Sequence, residues 1–429
     1  MRDADSQRAS LIGARPWLAA LAAGIVAFWI AGIVGVEGTI VTQLQDFELF
    51  HQPVIRHFAS LPFLTAVRDY GAAPFPTFYV IYGWIYAATG SLTALHAAAL
   101  ASGLAVIALL ADLVRRRYRD AAAPALVALL GFVAASPYFR GQVLWMNTDV
   151  LPLLFLAGAL WFDRRHAESG SFADQAAALV LAFLAFYTRQ FYLFAPAFFA
   201  CRYILLDRRH RVAAFVLCAA LALPGAALLA LWHGVVPPSF AQHEQRPYPL
   251  AALPYTFANL MLYLAPVAAM TLRHHRAALR AAFDARVAAA TGIAWVAYLA
   301  YFWLTPAEFF DIGGGVLAQA FQRLPFGRAA DFHILVALTS LFVPYLVYLV
   351  RQDWRRNFIL VLFILCFLPT GIIFQRYFDP VSVVLLFLAM NVAEVEDLLG
   401  GRLALAYPAL ELAVAAIGFV HYGRVFAIF

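Results

Sequence analysis

Two carboxylates and a histidine stand close together in the stretch QDFELFHQP, residues 45–53, shortly after the first apolar run of the chain. The carboxylates belong to Asp46 and Glu48, and the imidazole belongs to His51. A positioned carboxylate can act as a general base, and His51 is a helical neighbour of Glu48 because it lies three residues later. The alternative is that both carboxylates are solvated beside lipid headgroups. The residues alone leave both interpretations open.

The secondary structure of this stretch decides where the two carboxylates point. On a regular helix Asp46 and Glu48 lie on opposite edges of the apolar face, whereas in an extended segment they point the same way. Apolar residues at spacings of three and four favour an amphipathic helix lying flat on the bilayer. Pro53 is expected to kink it. The stripe consists of Ile40, Leu44, Phe47, Phe50, Val54 and Phe58.

Further polar side chains recur in segments that we place on the same side of the membrane. An arginine at membrane depth is costly unless an anion meets it, and guanidinium binds phosphate oxygens bidentately. For Arg189 and Arg376 a phosphate ligand and an intramolecular Arg to Asp pair are both open. For Asp69, on a loop rich in proline and glycine, chemistry and simple turn formation are equal alternatives. The remaining candidates are Arg140, Asp149, Gln190, His243, Glu244, Arg246, Tyr377 and Asp379.

A metal site is not predicted. The side chains that could hold an ion are Asp46, Glu48, His51 and Asp69, or His243 with Glu244, and neither set has a diagnostic ligand spacing. The three cysteines, Cys201, Cys218 and Cys366, lie in or at the end of apolar runs, which indicates neither a disulfide framework nor a cysteine metal site. No cofactor is therefore expected.

The elements that must hold these residues are membrane helices. The chain has 429 residues, of which 64% are hydrophobic and 13% charged, and this composition is typical of a polytopic membrane protein. The first run, residues 17–35, lacks a signal-peptide cleavage pattern and is read as a retained helix in a single domain, 1–429. Later runs lie at about 92–113, 122–137, 148–162, 213–232, 255–272, 287–304, 333–350, 357–374, 378–393 and 403–420.

Two apolar stretches do not fit a single crossing. Residues 175–205 are too many for one span and are interrupted by Thr188, Arg189 and Gln190, which predicts two short helices meeting at a polar break. Residues 75–90 are expected to be re-entrant or interfacial, or to pair with another short crossing. A single crossing there would turn the arginine-rich loops outward.

The distribution of arginine predicts the orientation. All 30 basic residues are arginine, and most fall in loops on one side, which the positive-inside rule makes cytoplasmic. The net charge of +6 therefore reflects membrane topology and does not indicate a nucleic-acid partner. About thirteen crossings result, with the N-terminus inside and the C-terminus outside a bacterial plasma membrane. The longest external segments are then 36–91, 233–254 and 305–332.

These residues and their order resemble the GT-C glycosyltransferases, which take a sugar from a polyprenyl-phosphate carrier on the outer or lumenal face. The stretch ELFHQP resembles the D-E-x-F-H-x-P motif of the dolichyl-phosphate-glucose α-1,2-glucosyltransferases. Phe47 stands where that family has aspartate, and Asp46 lies one residue earlier. The matching residues are Glu48, Phe50, His51 and Pro53.

The resemblance continues along most of the chain. Residues 69–79 resemble a D-P-x-x-T-T-x-P-G-x-Y stretch, with Tyr70 and Thr77 in place of that family's proline and glycine. Later positions resemble its T-D, R-Q-T-N and F-R-Y motifs. The matching residues are Asp69, Pro76, Tyr79, Thr148, Asp149, Arg189, Gln190, Arg376 and Tyr377.

The resemblance implies an inverting transfer of a hexose to a lipid-linked glycan or other envelope acceptor. Glu48 or Asp46 would be the base. Arg376 and Arg189, with Arg140 or Arg246 as alternatives, would stabilise the departing phosphate. His51 would orient Glu48 or bond a headgroup. The main alternative is a lipid or glycolipid transporter in which the break at Arg189 lines a substrate path. Another outer-face polymerase or ligase of envelope glycans is a further one.

Overall fold

The described part of the protein consists of helices joined by turns and loops. A computed structural model describes residues 19–30, 45–207, 209–241, 250, 253–304, 315–317, 339–340, 342–369, 373–400 and 402–426. These residues form helices and turns, with no β-strand among them, so the predicted all-α class is confirmed. Some predicted residues lie outside the described part, namely Ile40, Leu44, His243, Glu244 and Arg246.

Contacts within the backbone divide the chain into two compact units. The first unit comprises Met1–Val26, Arg117–Ser136 and Arg246–Ile417. The second comprises Ala27–Arg116, Pro137–Gln245 and Gly418–Phe429. The assignment of 1–429 to a single integral membrane domain, with 36–91 as its first external loop, stays a prediction.

Glycines end two helices of the second unit, and a polar cap begins another. Gly90 and Gly170 adopt the left-handed conformation, with φ of 62° and 69°, at the ends of two helices. Ser171 begins the next helix by accepting the backbone N–H of Ala173 at 3.2 Å. The helices of this unit are Gln52–Ser60, Phe63–Ala66, Thr77–Thr89, most of Leu92–Tyr118, Pro137–Leu144, Val150–Ser169, Phe172–Thr188, Phe194–Cys201, Arg211–Trp232 and Pro238–Ala241.

The first unit is held together partly by a buried carboxylate. Glu394 accepts the Thr271 hydroxyl at 3.0 Å and the Gln352 side-chain amide at 2.8 Å, and it also accepts the Tyr348 hydroxyl. These donors satisfy the carboxylate away from water. The helices of this unit are Ala122–Ala135, Leu253–His274, Arg276–Ala282, Ala285–Leu304, Phe342–Gln352, Trp354–Leu365, Val381–Val384, Ala393–Leu399 and most of Ala406–Phe426.

Several helices are long and apolar enough to cross a bilayer, and we conclude that the chain is an integral membrane protein. Four qualify among the described residues, and a fifth does if a helix pair bent by 100°, Gln375–Ala389 with Ala393–Leu399, counts as one span. The qualifying segments are Leu92–Ala135, Arg211–Trp232, Leu253–His274 and Ala285–Leu304. The described residues do not confirm the predicted count of about thirteen.

The two irregular apolar stretches have the lengths expected of short helices. The helix Phe172–Thr188 ends at Arg189, whose backbone is extended with φ −149° and ψ 120°, and Phe194–Cys201 follows a 3₁₀ turn. The predicted polar break is therefore confirmed. The stretch 75–90 contains one helix, Thr77–Thr89, of 13 residues. At 1.5 Å per residue it is about 20 Å long, well short of a hydrocarbon core of about 30 Å.

Candidate functional site

The acidic stretch lies in a helix that contains a π turn, with residues 45 and 46 helical before it. The N–H of Gln52 bonds the carbonyl of Phe47, five residues earlier, and the regular helix Gln52–Ser60 follows. Pro53 comes directly after the π turn, and the kink that we expected there stays a prediction. π turns of this kind are frequent at functional sites.

The residues of the predicted apolar stripe differ in burial. Phe47, Val54 and Phe58 are buried in the protein, whereas Phe50 is 48% exposed. An apolar side chain that is exposed on the protein can still contact lipid, so the helix lying flat on the bilayer stays a prediction. A π turn is wider than an α turn and carries residue 50 away from the buried face. His51, 6% exposed, occupies the buried position instead.

His51 connects three segments of the second unit through its two ring nitrogens. Nδ1 lies 3.0 Å from the Tyr79 hydroxyl, and Nε2 lies 3.1 Å from Oδ1 of Asn147. Oδ1 of Asn147 also accepts the backbone N–H of Thr148 at 2.8 Å. Because an amide oxygen only accepts, Nε2 carries a hydrogen, and in the neutral imidazole Nδ1 accepts the Tyr79 hydroxyl. Both ring nitrogens thus lie within bonding distance of protein side chains, and the expected roles of His51, orienting Glu48 or bonding a headgroup, stay predictions.

The charge of Asp46 affects the Tyr79 hydroxyl of this hydrogen-bonded group. Asp46 is half-buried, whereas Glu48 is exposed. Burial raises the pKa of the Tyr79 phenol, and the carboxylates of Asp46 and Asp149 raise it further while Arg189 opposes them. The charges of these three residues therefore lie within electrostatic range of one buried hydroxyl. The sequence left the choice between the two carboxylates open, and of the two Asp46 is the one that is partly buried.

Arg189 is paired inside the protein. Its Nε lies 2.6 Å from Oδ1 of Asp149, and the two side chains are 7% and 8% exposed. Oδ2 of Asp149 accepts the side-chain amide of Gln142 at 3.1 Å. Of the two alternatives for Arg189, the structure thus shows the intramolecular Arg to Asp pair. A pair with this burial stabilises a single arrangement of the break, because separating its charges leaves one uncompensated.

Asp69 and Gln190 link loops of the second unit to each other. Asp69 accepts both the backbone N–H, at 2.8 Å, and the hydroxyl of Ser239. Gln190 donates to the carbonyl of Ala73 at 2.6 Å and to that of Val235 at 3.3 Å. These bonds give both residues a structural role, and the expected substrate binding by Asp69 and Gln190 stays a prediction.

Arg140 lies on a helix, not in the loop that we predicted. It belongs to Pro137–Leu144 and is fully buried. Its guanidinium carbon lies 3.4 Å from the centroid of the Phe28 ring, and NH1 donates to the Phe28 carbonyl. A cation over an aromatic face is held by the ring quadrupole. This position against the first helix does not favour the expected contact with a phosphate.

Arg376 and Tyr377 belong to the first unit. They lie in the 3₁₀ turn Gln375–Tyr377, and the Arg376 guanidinium stands 5.0 Å from the Phe374 ring and 5.8 Å from the Tyr377 ring. Asp379, just after the turn, is buried. The predicted convergence of Arg376 with Arg189 and the acidic stretch stays a prediction.

Sequence reasoning missed Asn147 and Gln142 and did not place Tyr79 in the site. Tyr79 could have been predicted, because it matches the tyrosine of the family motif. Asn147 could have been predicted as well, because it directly precedes Thr148 and Asp149. Among the described residues, no three His, Cys, Asp or Glu side chains come together in a way that could hold a metal ion.

Comparison with protein families, with curated proteins and with solved structures gives no match. The geometry of the chain's own residues must therefore carry the functional argument.

Proposed function

We propose that the protein is a membrane glycosyltransferase of GT-C type, which transfers a hexose from a polyprenyl-phosphate carrier to a lipid-linked glycan or another envelope acceptor. The observation that carries the proposal is the half-buried Asp46 at the start of a π turn, beside the buried pair of His51 and Tyr79. A carboxylate that is partly withdrawn from water beside fixed polar groups suits a general base.

In the proposed reaction Asp46 takes the proton of the acceptor hydroxyl as its oxygen attacks the anomeric carbon. The bond from that carbon to the phosphate oxygen breaks, the configuration inverts, and polyprenyl phosphate leaves with the bonding electrons. The departing charge would be stabilised by an arginine, and Arg189, which is paired with Asp149, is a predicted one that belongs to the same unit as Asp46. The scheme uses no covalent intermediate and no cofactor.

The proposed location follows from the arginine distribution. The site would face the extracytoplasmic side of a bacterial plasma membrane, with the N-terminus in the cytoplasm and about thirteen crossings. The helix Gln52–Ser60 supports this arrangement, since it buries Val54, Ile55 and Phe58 on one face while Phe50 and Leu49 are exposed beside it. Such a helix would hold Asp46 near the depth of the carrier's phosphate.

A transporter of lipids or glycolipids is the second candidate. The observation that favours it is the helix break at Arg189, since discontinuous helices with charged groups at the break line substrate paths in transporters. Proteoliposomes containing the protein and a fluorescent lipid-linked sugar would show movement of the label between leaflets if this candidate is right.

The proposed transferase is tested with the purified protein, a panel of radiolabelled polyprenyl-phosphate hexoses and a lipid extract as acceptor. We expect Asp46→Asn to lower turnover by about 10²-fold or more, since general base catalysis contributes about 10² to 10⁴. We expect Glu48→Gln, the matched control, to stay within a few-fold of wild type. Equal amounts of each variant in the membrane fraction control for insertion. Full activity of Asp46→Asn would contradict the assignment of the base.

A further inference from the structure

We infer that His51 is a positioning residue, which holds the π turn Phe47–His51 in the register that keeps the preceding residue, Asp46, half-buried. The inference rests on the proposed function, in which Asp46 is the base. It differs from a headgroup-binding role for the histidine, because both ring nitrogens bond side chains of the protein at 3.0 and 3.1 Å.

His51 connects segments that are far apart in the sequence. Tyr79 and Asn147 lie 28 and 96 residues from His51 along the chain. One belongs to the helix Thr77–Thr89 and the other to the loop between Pro137–Leu144 and Val150–Ser169. A buried imidazole bonded to both fixes the π turn to two separate elements.

The π turn is itself an unfavourable conformation of the backbone. A π turn is rare compared with an α turn, so something outside it must favour it. His51 is the last residue of the turn and is 6% exposed, while Leu49 and Phe50 just before it are exposed. Within the turn, Phe47 and His51 are the buried side chains. Of these, His51 makes the polar contacts that can distinguish one helical register from another.

The register of the π turn determines the position of the Asp46 carboxylate. Asp46 immediately precedes the π turn. If the turn relaxes to an α-helix, each residue before it rotates relative to the helix Gln52–Ser60 that follows. Asp46 would then leave the surroundings of Tyr79 and become as accessible as Glu48. Loss of the His51 bonds is therefore expected to raise the solvent accessibility of Asp46. The accessibility of Glu48, which is already exposed, should stay the same.

The loop that carries Asn147 shows features of a constrained support. Met146 is buried with φ 50°, a conformation that is costly for a side chain of this size. The next residue, Asn147, is 2% exposed and directs its oxygen to both His51 and Thr148. A loop held in this way is a fixed anchor for the imidazole.

The test uses the native carboxylates as probes. The full-length protein in detergent is treated with a water-soluble carbodiimide and glycine ethyl ester, and the modification rates of Asp46 and Glu48 are measured by peptide mass spectrometry. In wild type we expect Asp46 to react several-fold more slowly than Glu48. In His51→Phe, which keeps an aromatic ring in the buried position, we expect the two rates to become similar.

Controls separate positioning from general loss of structure. His57→Phe is the matched control on the same helix. Among the hydrogen bonds described, the His57 imidazole makes one, to the Ala66 carbonyl at 3.2 Å. We expect it to leave both modification rates unchanged. His51→Gln can still donate to Asn147 and should give an intermediate rate at Asp46. If His51→Phe does not accumulate in the membrane, Tyr79→Phe and His51→Gln carry the test.

A kinetic measurement connects the inference to the reaction. If His51 positions the base, His51→Phe lowers kcat and leaves KM for the lipid-linked sugar nearly unchanged, whereas loss of a headgroup ligand would raise KM. An unchanged modification rate at Asp46 in folded His51→Phe overturns the inference. If no transfer activity is found with any donor, the proposed function fails while the modification rates still decide whether His51 positions Asp46.

Discussion

At the level of single residues, the buried polar contacts of the second unit join segments that are far apart in the sequence. His51, Asp149 and Arg189 were all candidates. Arg189 pairs with Asp149, which is 40 positions away, and His51 bonds Tyr79 and Asn147, which are 28 and 96 positions away. A single sequence does not predict such pairs, because the residue types fit several partners equally well. The alternative of an Arg to Asp pair could be stated, but the sequence could not choose it.

The pair of Arg189 and Asp149 gives a prediction about stability. Asp149→Ala leaves a buried guanidinium without its carboxylate, which costs about 3 to 5 kcal/mol. We expect the thermal unfolding midpoint of the purified protein to fall clearly. Asp120→Ala, at an exposed position, is the control and should change stability by no more than about 0.5 kcal/mol. Equal midpoints for the two variants would show that the Arg189 pair contributes little.

At the level of helices, the local signals predicted where elements end better than how they pack. Gly90 and Gly170 mark helix ends, and Thr188 to Gln190 mark the break, because glycine and polar residues act on the backbone locally. The π turn at Phe47–His51 was missed since its register depends on the bonds of His51 to distant elements. Pro53 predicted an irregular helix, and it lies directly after the π turn.

The packing of Thr77–Thr89 on Gln52–Ser60 gives the prediction at this level. A Cβ added at Gly83 would lie 2.9 Å from Cβ of Phe58 and 3.2 Å from its backbone carbon. Gly83→Ala should therefore push the two helices apart and destabilise the protein by about 1 to 3 kcal/mol. Gly292→Ala is the matched control, because nothing lies within 4 Å of its Cβ and alanine favours a helix. Thermal unfolding of both variants measures the difference, and a rise in the midpoint for Gly83→Ala would contradict the packing argument.

For the whole molecule, composition predicted the class and arginine predicted an orientation, but the number of crossings depends on elements that hydropathy describes poorly. The run predicted at 378–393 illustrates the reason. It contains the short helix Val381–Val384 and a π turn, and the chain then bends by 100° before Ala393–Leu399. Apolar composition continues through such breaks, so a count of apolar runs does not equal a count of spans.

The orientation of the stretch 75–90 decides the topology of everything that follows it. The helix Thr77–Thr89, about 20 Å long, cannot cross a core of about 30 Å alone, so both of its ends should face the same side. We expect Gly71→Cys and Ser91→Cys, in a chain whose three native cysteines are replaced by alanine, to react in intact cells with a membrane-impermeant maleimide.

Ala167→Cys serves as the control for the opposite side, because it is exposed beside Arg164 and Arg165 in a segment that the arginine rule places in the cytoplasm. It should react only after the cells are permeabilised. Labelling of Gly71→Cys but not Ser91→Cys in intact cells would mean that the stretch crosses once. Every later loop would then invert, and Asp149 and Arg189 would lie on the opposite side of the membrane from Asp46. Since the charges of all three act on the buried Tyr79 hydroxyl, a shared side is the arrangement that the structure supports.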